Sequence, residues 1–165
     1  MPGCISPGVN KKSSVTIWGC ITFNGVGTIC RVYGNINSAK YIDILENNLW
    51  PVVARHFADG DYLFMNDNAP VHRSHVTHNY KNTNQIPTLD WPAQSTDLNP
   101  IENVWLTIKR KVQRRTQTIN TVSELYDNIF DIWTSFTVEY IQALYMLVPD
   151  RVKRVQRARG YITKY

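Results

Sequence analysis

The sequence predicts a mixed α/β fold with a mostly helical C-terminal half, on three observations. Runs rich in β-branched and aromatic residues alternate with helical patterns as far as Trp91. From Pro100 onward, apolar residues recur only at helical spacing. The length of 165 residues, with 43% hydrophobic and 12% aromatic content, suits one domain with one core.

Residues 1–14 read as a loose leader, and residues 15–165 as the domain. "VTIWGCITF" (Val15–Phe23) reads as a strand. Asn24-Gly25 is a hairpin signal, and "GTICRVYG" reads as the partner strand. In "NINSAKYIDILENNLW", Ser38 is a candidate N-cap, and Tyr41, Leu45 and Leu49 recur at spacing four, so a helix follows. Pro51 either kinks that helix or starts a second segment. "DYLFMND" (Asp61–Asp67) is apolar at every position from Tyr62 to Met65, the pattern of a central strand covered on both faces. "NAPVH" reads as a turn, "RSHVTHNYKN" as a short helix and "IPTLDW" as a short strand. Ile101, Val104, Trp105, Ile108 and Val112 form one helical stripe. "TVSELYDNIFDIWTSF" is a further helix, opened by a Thr121/Glu124 capping-box pattern. The tail reads as a helix, a break near Pro149 and a last basic helix. The five tryptophans are mostly core candidates.

The longest apolar run, Ala143–Val148, is far short of the ~20 residues a membrane span needs, and no signal-peptide core is present. Three cysteines without a Cys-x-x-Cys pair argue against zinc ribbons and disulfide frameworks. His72, His75 and His78 fall at steps of three, which drift around a helix and do not converge on one ion. The formal charge of +5 hints at a polyanionic partner. Lys109, Arg110, Lys111, Arg114 and Arg115 crowd one segment, and Arg151, Lys153, Arg154, Arg157 and Arg159 another. Each cluster is either a solvated helix face or a contact for nucleic-acid phosphates.

Two carboxylates stand out. Asp67 closes an apolar strand, at the sheet edge where open α/β folds bind ligands. The alternative is an exposed Asp that merely starts a turn. Glu102 has a complete local explanation: with Asn99 as N-cap and Pro100 at N1, it is the N3 residue of a capping arrangement. It also lies at the edge of the apolar stripe, where it can face the sheet instead.

"MNDNAPVH" followed by "WPAQSTDLNPIENVWLTIKRKV" closely resembles the catalytic core of mariner/Tc-type DDE transposases. Asp67 and Glu102 are 35 positions apart, a spacing that marks one branch of that family. The likeness runs from about Ser14 to Tyr165. It implies a ribonuclease-H-like mixed sheet flanked by helices, in which three carboxylates hold two divalent metals, Mg²⁺ or Mn²⁺. Two cations about 4 Å apart stabilise both the entering and the leaving oxygen of a phosphodiester in in-line attack. By motif match Asp67 is the second acid and Glu102 the third, with Asn68 and His72 supporting the site. The expected chemistry is metal-dependent DNA cleavage and strand transfer in cut-and-paste transposition. The expected partners are transposon ends and target DNA, with room for a homodimer, no membrane, and a nuclear location.

The sequence also departs from that pattern. The family's first acid lies on a strand upstream of "VTIWG", yet no Asp or Glu occurs before Asp43. The expectation is a fold with its first strand and first acid missing, without the helix-turn-helix region, holding metal weakly and inactive by itself. Thr96 stands where the family usually has Pro, and Met65-Asn66 where Gln-Gln is common. The alternative is a non-catalytic nucleic-acid-binding or interaction domain derived from a transposase.

Overall fold

A computed structural model describes residues 3–5, 14–67, 69–89, 98–115 and 119–157. Three antiparallel strands, β1 (Gly3–Ile5), β2 (Val15–Thr22) and β3 (Gly25–Val32), form a sheet in that order. β1 is a correction to the loose leader expected at residues 1–14. Gly3, Cys4 and Ile5 pair with Ile17, Thr16 and Val15, because an open β2 edge presents backbone donors and acceptors that a short extended segment satisfies. The hairpin tip is also displaced by one residue. Thr22 pairs with Gly25, so the turn is Phe23-Asn24, and Gly25 takes φ +125° as the first residue of β3.

Helix α1 (Ser38–His56) runs through Pro51 without a break. Its N-cap is Asn37, whose side chain accepts from the Lys40 N–H at 2.9 Å; Ser38 instead donates its hydroxyl to Ser74 at 2.7 Å. The predicted turn after Asp67 contains a one-turn helix, α2 (Pro70–Arg73), and α3 follows (His75–Thr83), capped by Ser74. Then come α4 (Pro100–Arg114), α5 (Val122–Thr134), α6 (Val138–Met146) and α7 (Val148–Arg157). The predicted break near Pro149 falls at Leu147, and the Thr121/Glu124 capping box forms in full. Among the described residues no helix is long and apolar enough to cross a membrane.

The sheet is the middle layer. Val15, Ile17 and Ile29 face α4, α5 and α6, in a core completed by Val104, Ile108, Leu125, Ile129 and Ile141. Trp18 and Val32 face the other way, packing with Tyr41, Leu45 and Leu49 of α1 and with Phe64 and Ile86. This alternation is the two-residue pleat of a sheet covered on both sides.

The predicted strands Asp61–Asp67 and Ile86–Trp91 reduce, within the described residues, to one parallel bridge between Phe64 and Thr88. The Phe64 N–H donates to the Pro87 carbonyl at 2.7 Å, and the Leu89 N–H to the Phe64 carbonyl at 2.8 Å. Leu63 is 58% exposed, so only one side of this segment is covered, and its all-apolar run overstates its burial.

The α4–α5 layer touches the sheet through two indoles. Trp105 and Trp133 stack with centroids 5.3 Å apart, and Trp133 Nε1 donates to the Gly27 carbonyl at 3.1 Å. Trp133→Ala removes that bond and a fully buried ring, so unfolding free energy in urea should fall by about 3–5 kcal/mol.

Candidate active site

Asp67 ends the extended segment that Phe64 ties to Thr88, and the chain turns immediately into α2. The carboxylate does start that turn: its Oδ1 accepts the Ala69 N–H at 3.0 Å. It is also only 9% exposed, which excludes a merely exposed turn residue. His72, on α2, places Nδ1 2.6 Å from the same Oδ1. Burial alone would raise the Asp67 pKa, but the bonds from His72 and Ala69 oppose it, and the carboxyl lies well below the usual range.

Glu102 is in the first turn of α4. Asn99 caps the helix, its side chain accepting the Ile101 N–H at 3.3 Å, while the Glu102 N–H donates to the Asn99 carbonyl at 3.1 Å. The local capping reading ends there. Among the described residues the Glu102 carboxylate accepts no hydrogen bond, whereas Glu124 at the same position of α5 reaches back to the Thr121 N–H at 3.3 Å. Glu102 is half-buried, and burial, with the charge of Asp67 added, raises its pKa. Two acids 35 positions apart thus lie within each other's electrostatic reach.

Asn68 lies outside the described residues, as do residues 90–97. His75 and His78 sit exposed on α3, where the Asn79 and Asn82 amides meet them; neither approaches His72's bond to Asp67. Lys109, Arg110, Lys111, Arg114 and Arg115 all follow Glu102 along α4. At 1.5 Å per residue the run lies roughly 10–20 Å from it. Four of the five are exposed, and Lys111 lies over the Phe136 ring at 5.2 Å.

Sequence reasoning missed Tyr41. It read as one apolar position on the α1 stripe, but its ring packs on His72 at 4.2 Å between centroids. Its phenol is pushed up by burial, with Asp67's charge adding to the effect. A hydroxyl on an otherwise aliphatic stripe was the available signal. Asn103, beside Glu102, likewise accepts from Arg151 of α7 at 3.3 Å.

A cleft of about 880 Å³ opens onto these groups, lined by Tyr41, Asp67, His72, Asn99, Trp105 and Pro149 among others. Asp67 lines it, and Glu102 follows the lining residues Pro100 and Ile101 on α4; the two carboxylates offer only oxygen. Two neighbouring carboxylates, one of them disfavoured in its charged form, suit a hard divalent cation such as Mg²⁺ or Mn²⁺.

The family model described as DDE superfamily endonuclease matches residues 7–126. The chain belongs to this superfamily. Over 152 residues, 92% of its length, it is 36% identical to the Tc3 transposase of Caenorhabditis elegans and 34% to the Tcb1 transposase of Caenorhabditis briggsae. Those matches cover 46% and 55% of the two proteins, so the chain spans about half the length of the curated relatives it matches. The Mos1 transposase catalytic domain solved with raltegravir and Mn superposes with a TM-score of 0.82 at 17% identity, over 92% of this chain and 78% of that one. A pre-cleavage Mos1 transpososome gives 0.83 at 16% identity, over 97% and 51%. That likeness is of fold, and it bears out the ribonuclease-H-like layering.

In this DDE-superfamily chain the described residues contain no group of three His, Cys, Asp or Glu side chains able to close around one ion. What they contain is the Asp67–Glu102 pair. The two N3 glutamates should therefore respond differently to neutralisation. Glu124→Gln should lower stability by about 0.5–1 kcal/mol through the weakened cap. Glu102→Gln should cost nothing, or raise Tm, because it removes a half-buried charge beside Asp67. Thermal melts of both variants at pH 7 check this.

Proposed function

We propose that this chain is the catalytic domain of a Tc1/mariner-type DNA transposase, with Asp67 and Glu102 as two acids of its metal site. The observation that supports this best is that two acids 35 positions apart come within each other's electrostatic reach, Asp67 lining the cleft and Glu102 following its lining residues Pro100 and Ile101. Asp67 stays anionic inside the protein, oriented by His72 and the Ala69 N–H. Glu102 is carried on a rigid helix start and spends no lone pair on capping. A divalent cation held there would polarise the phosphodiester and help form the attacking oxygen. Lys109, Arg110, Lys111, Arg114 and Arg115 would take the DNA backbone as phosphate contacts, fixing register without reading sequence. Substrate ends, target DNA, nuclear action and paired copies of the chain belong to the same reading. Neighbours solved as a "paired-end complex" and a "Strand Transfer Complex" support it.

The chain supplies no acid before Asp43, and three acids are the expected set. Asp67 and Glu102 by themselves would hold a divalent cation more loosely than a three-acid set, and such sites tolerate only about 0.5 Å of error. Incubated with supercoiled plasmid and Mn²⁺, the chain should give at most trace nicking, abolished equally in Asp67→Ala and Glu102→Ala. Nicking that survives both substitutions would remove the carboxylate pair from the mechanism.

A second reading, a nucleic-acid-binding domain without catalysis, is favoured by the basic run alone. DNA binding should weaken steeply with salt, each phosphate contact contributing about 0.9 to the log–log slope. Lys109→Ala with Arg110→Ala should flatten that slope by about 2. An unchanged slope rules out this face of α4 as the DNA contact. Steep binding with no Mn²⁺ taken up by Asp67 and Glu102 would select the non-catalytic reading.

A further inference from the structure

We infer that His72 is a positioning residue for Asp67, held between Tyr41 and the carboxylate so that the acid faces the cation site in one orientation. The inference rests on the metal reading above and assigns a device to it. His72 Nδ1 lies 2.6 Å from Asp67 Oδ1 and 3.2 Å from the Asp67 carbonyl oxygen. Both partners are acceptors, so Nδ1 carries the proton and donates. One ring therefore spans the side chain and the main chain of Asp67, which fixes the side-chain torsion between them. The Ala69 N–H also donates to the same oxygen, at 3.0 Å.

The ring itself is fixed from behind. His72 is 6% exposed and packs on Tyr41, which is 1% exposed and anchored in α1 next to the Leu45 core. Packing does not explain a histidine here. Its Nε2 is buried and finds no hydrogen-bond partner among the described residues. An apolar side chain would fill the space without that desolvation cost. What an apolar side chain cannot do is donate to Asp67. Histidine and carboxylate partners behind a metal ligand commonly set its orientation, and losing one typically weakens metal binding 10–100-fold.

The test is Mn²⁺ affinity by titration calorimetry, read on the folded chain well below its melting temperature. Loss of the signal in Asp67→Ala assigns it to this site. His72→Leu should weaken Mn²⁺ binding about 10–100-fold. His72→Asn should restore most of it, because its amide nitrogen, bonded to Cγ, occupies the place of Nδ1. Ile141→Ala, a core change on α6 in the opposite layer, should lower Tm and leave Mn²⁺ affinity unchanged. His72→Leu binding Mn²⁺ like the wild type, or His72→Asn binding as poorly as His72→Leu, overturns the positioning role while leaving the metal site in place. A wild-type chain that takes up no Mn²⁺ overturns the metal reading and this inference together.

Discussion

The geometry of the site depends on how closely α4 can approach the sheet, and that is set by the absence of a side chain. A Cβ on Gly19 of β2 would lie 3.0 Å from ring atoms of both Trp105 and Trp133. With glycine there, the stacked indoles lie directly on the strand. Gly27 does the matching work on β3. Two of its residues, Gly27 and Thr28, stand opposite Cys20 where the β2–β3 register shifts, and a Cβ on Gly27 would lie 2.9 Å from the Cys20 carbonyl. The bulge turns the Gly27 carbonyl to the Trp133 indole N–H. Trp105 is one turn beyond Glu102 on α4. The packing that seats Trp105 therefore also decides where Glu102 stands relative to Asp67.

Burial pushes both acids the same way, and their surroundings separate them. Asp67 has donors committed to it and stays ionised inside the protein. Glu102 has no donor among the described residues and feels Asp67's charge, so its ionised form is the costly one. A helix start normally favours an acid at this position. Glu124 shows what the same residue does when only stability is at stake: its carboxylate takes the Asn120 N–H at 2.7 Å and the Thr121 N–H at 3.3 Å. A local rule followed at α5 and broken at α4 marks the α4 start as a place where folding alone does not account for the residue.

Much of this was legible in the sequence because it is local. The α4 stripe, the Asn99–Pro100 start and the Thr121 capping box depend on residues within one or two turns, and all form as read. The misread features depend on distant partners. Gly3–Ile5 becomes a strand only because β2 offers it an edge. The Tyr62–Met65 run looks buried on both faces, yet Leu63 is left uncovered by the elements that surround it. Ser38 lost the cap to Asn37 because Ser74, 36 residues away, takes its hydroxyl. At the candidate site, motif and spacing singled out Asp67 and Glu102 as candidates, but Tyr41 could not be found that way. Its role comes from a ring contact across 31 residues, while its helical periodicity is that of any core position.

One helix joins the two halves of the proposed chemistry. α4 carries Glu102 at its start and Lys109 to Arg114 along its length, with Val104, Ile108 and Val112 wholly buried between them. Those buried residues lock the helix against the sheet and α5, so the acid and the cations move as one body. In the proposed function, a phosphate backbone gripped by the basic run would thereby be placed at a fixed distance from the carboxylates. Positioning of that kind accounts for much of what a phosphoryl-transfer site supplies, since the cation provides the electrostatics and the protein the alignment. In that proposal the same rigidity would set a condition on DNA: the strand would have to follow the α4 axis for roughly 10–20 Å before reaching Glu102. A segment entering along this helix would meet both parts of the surface at once.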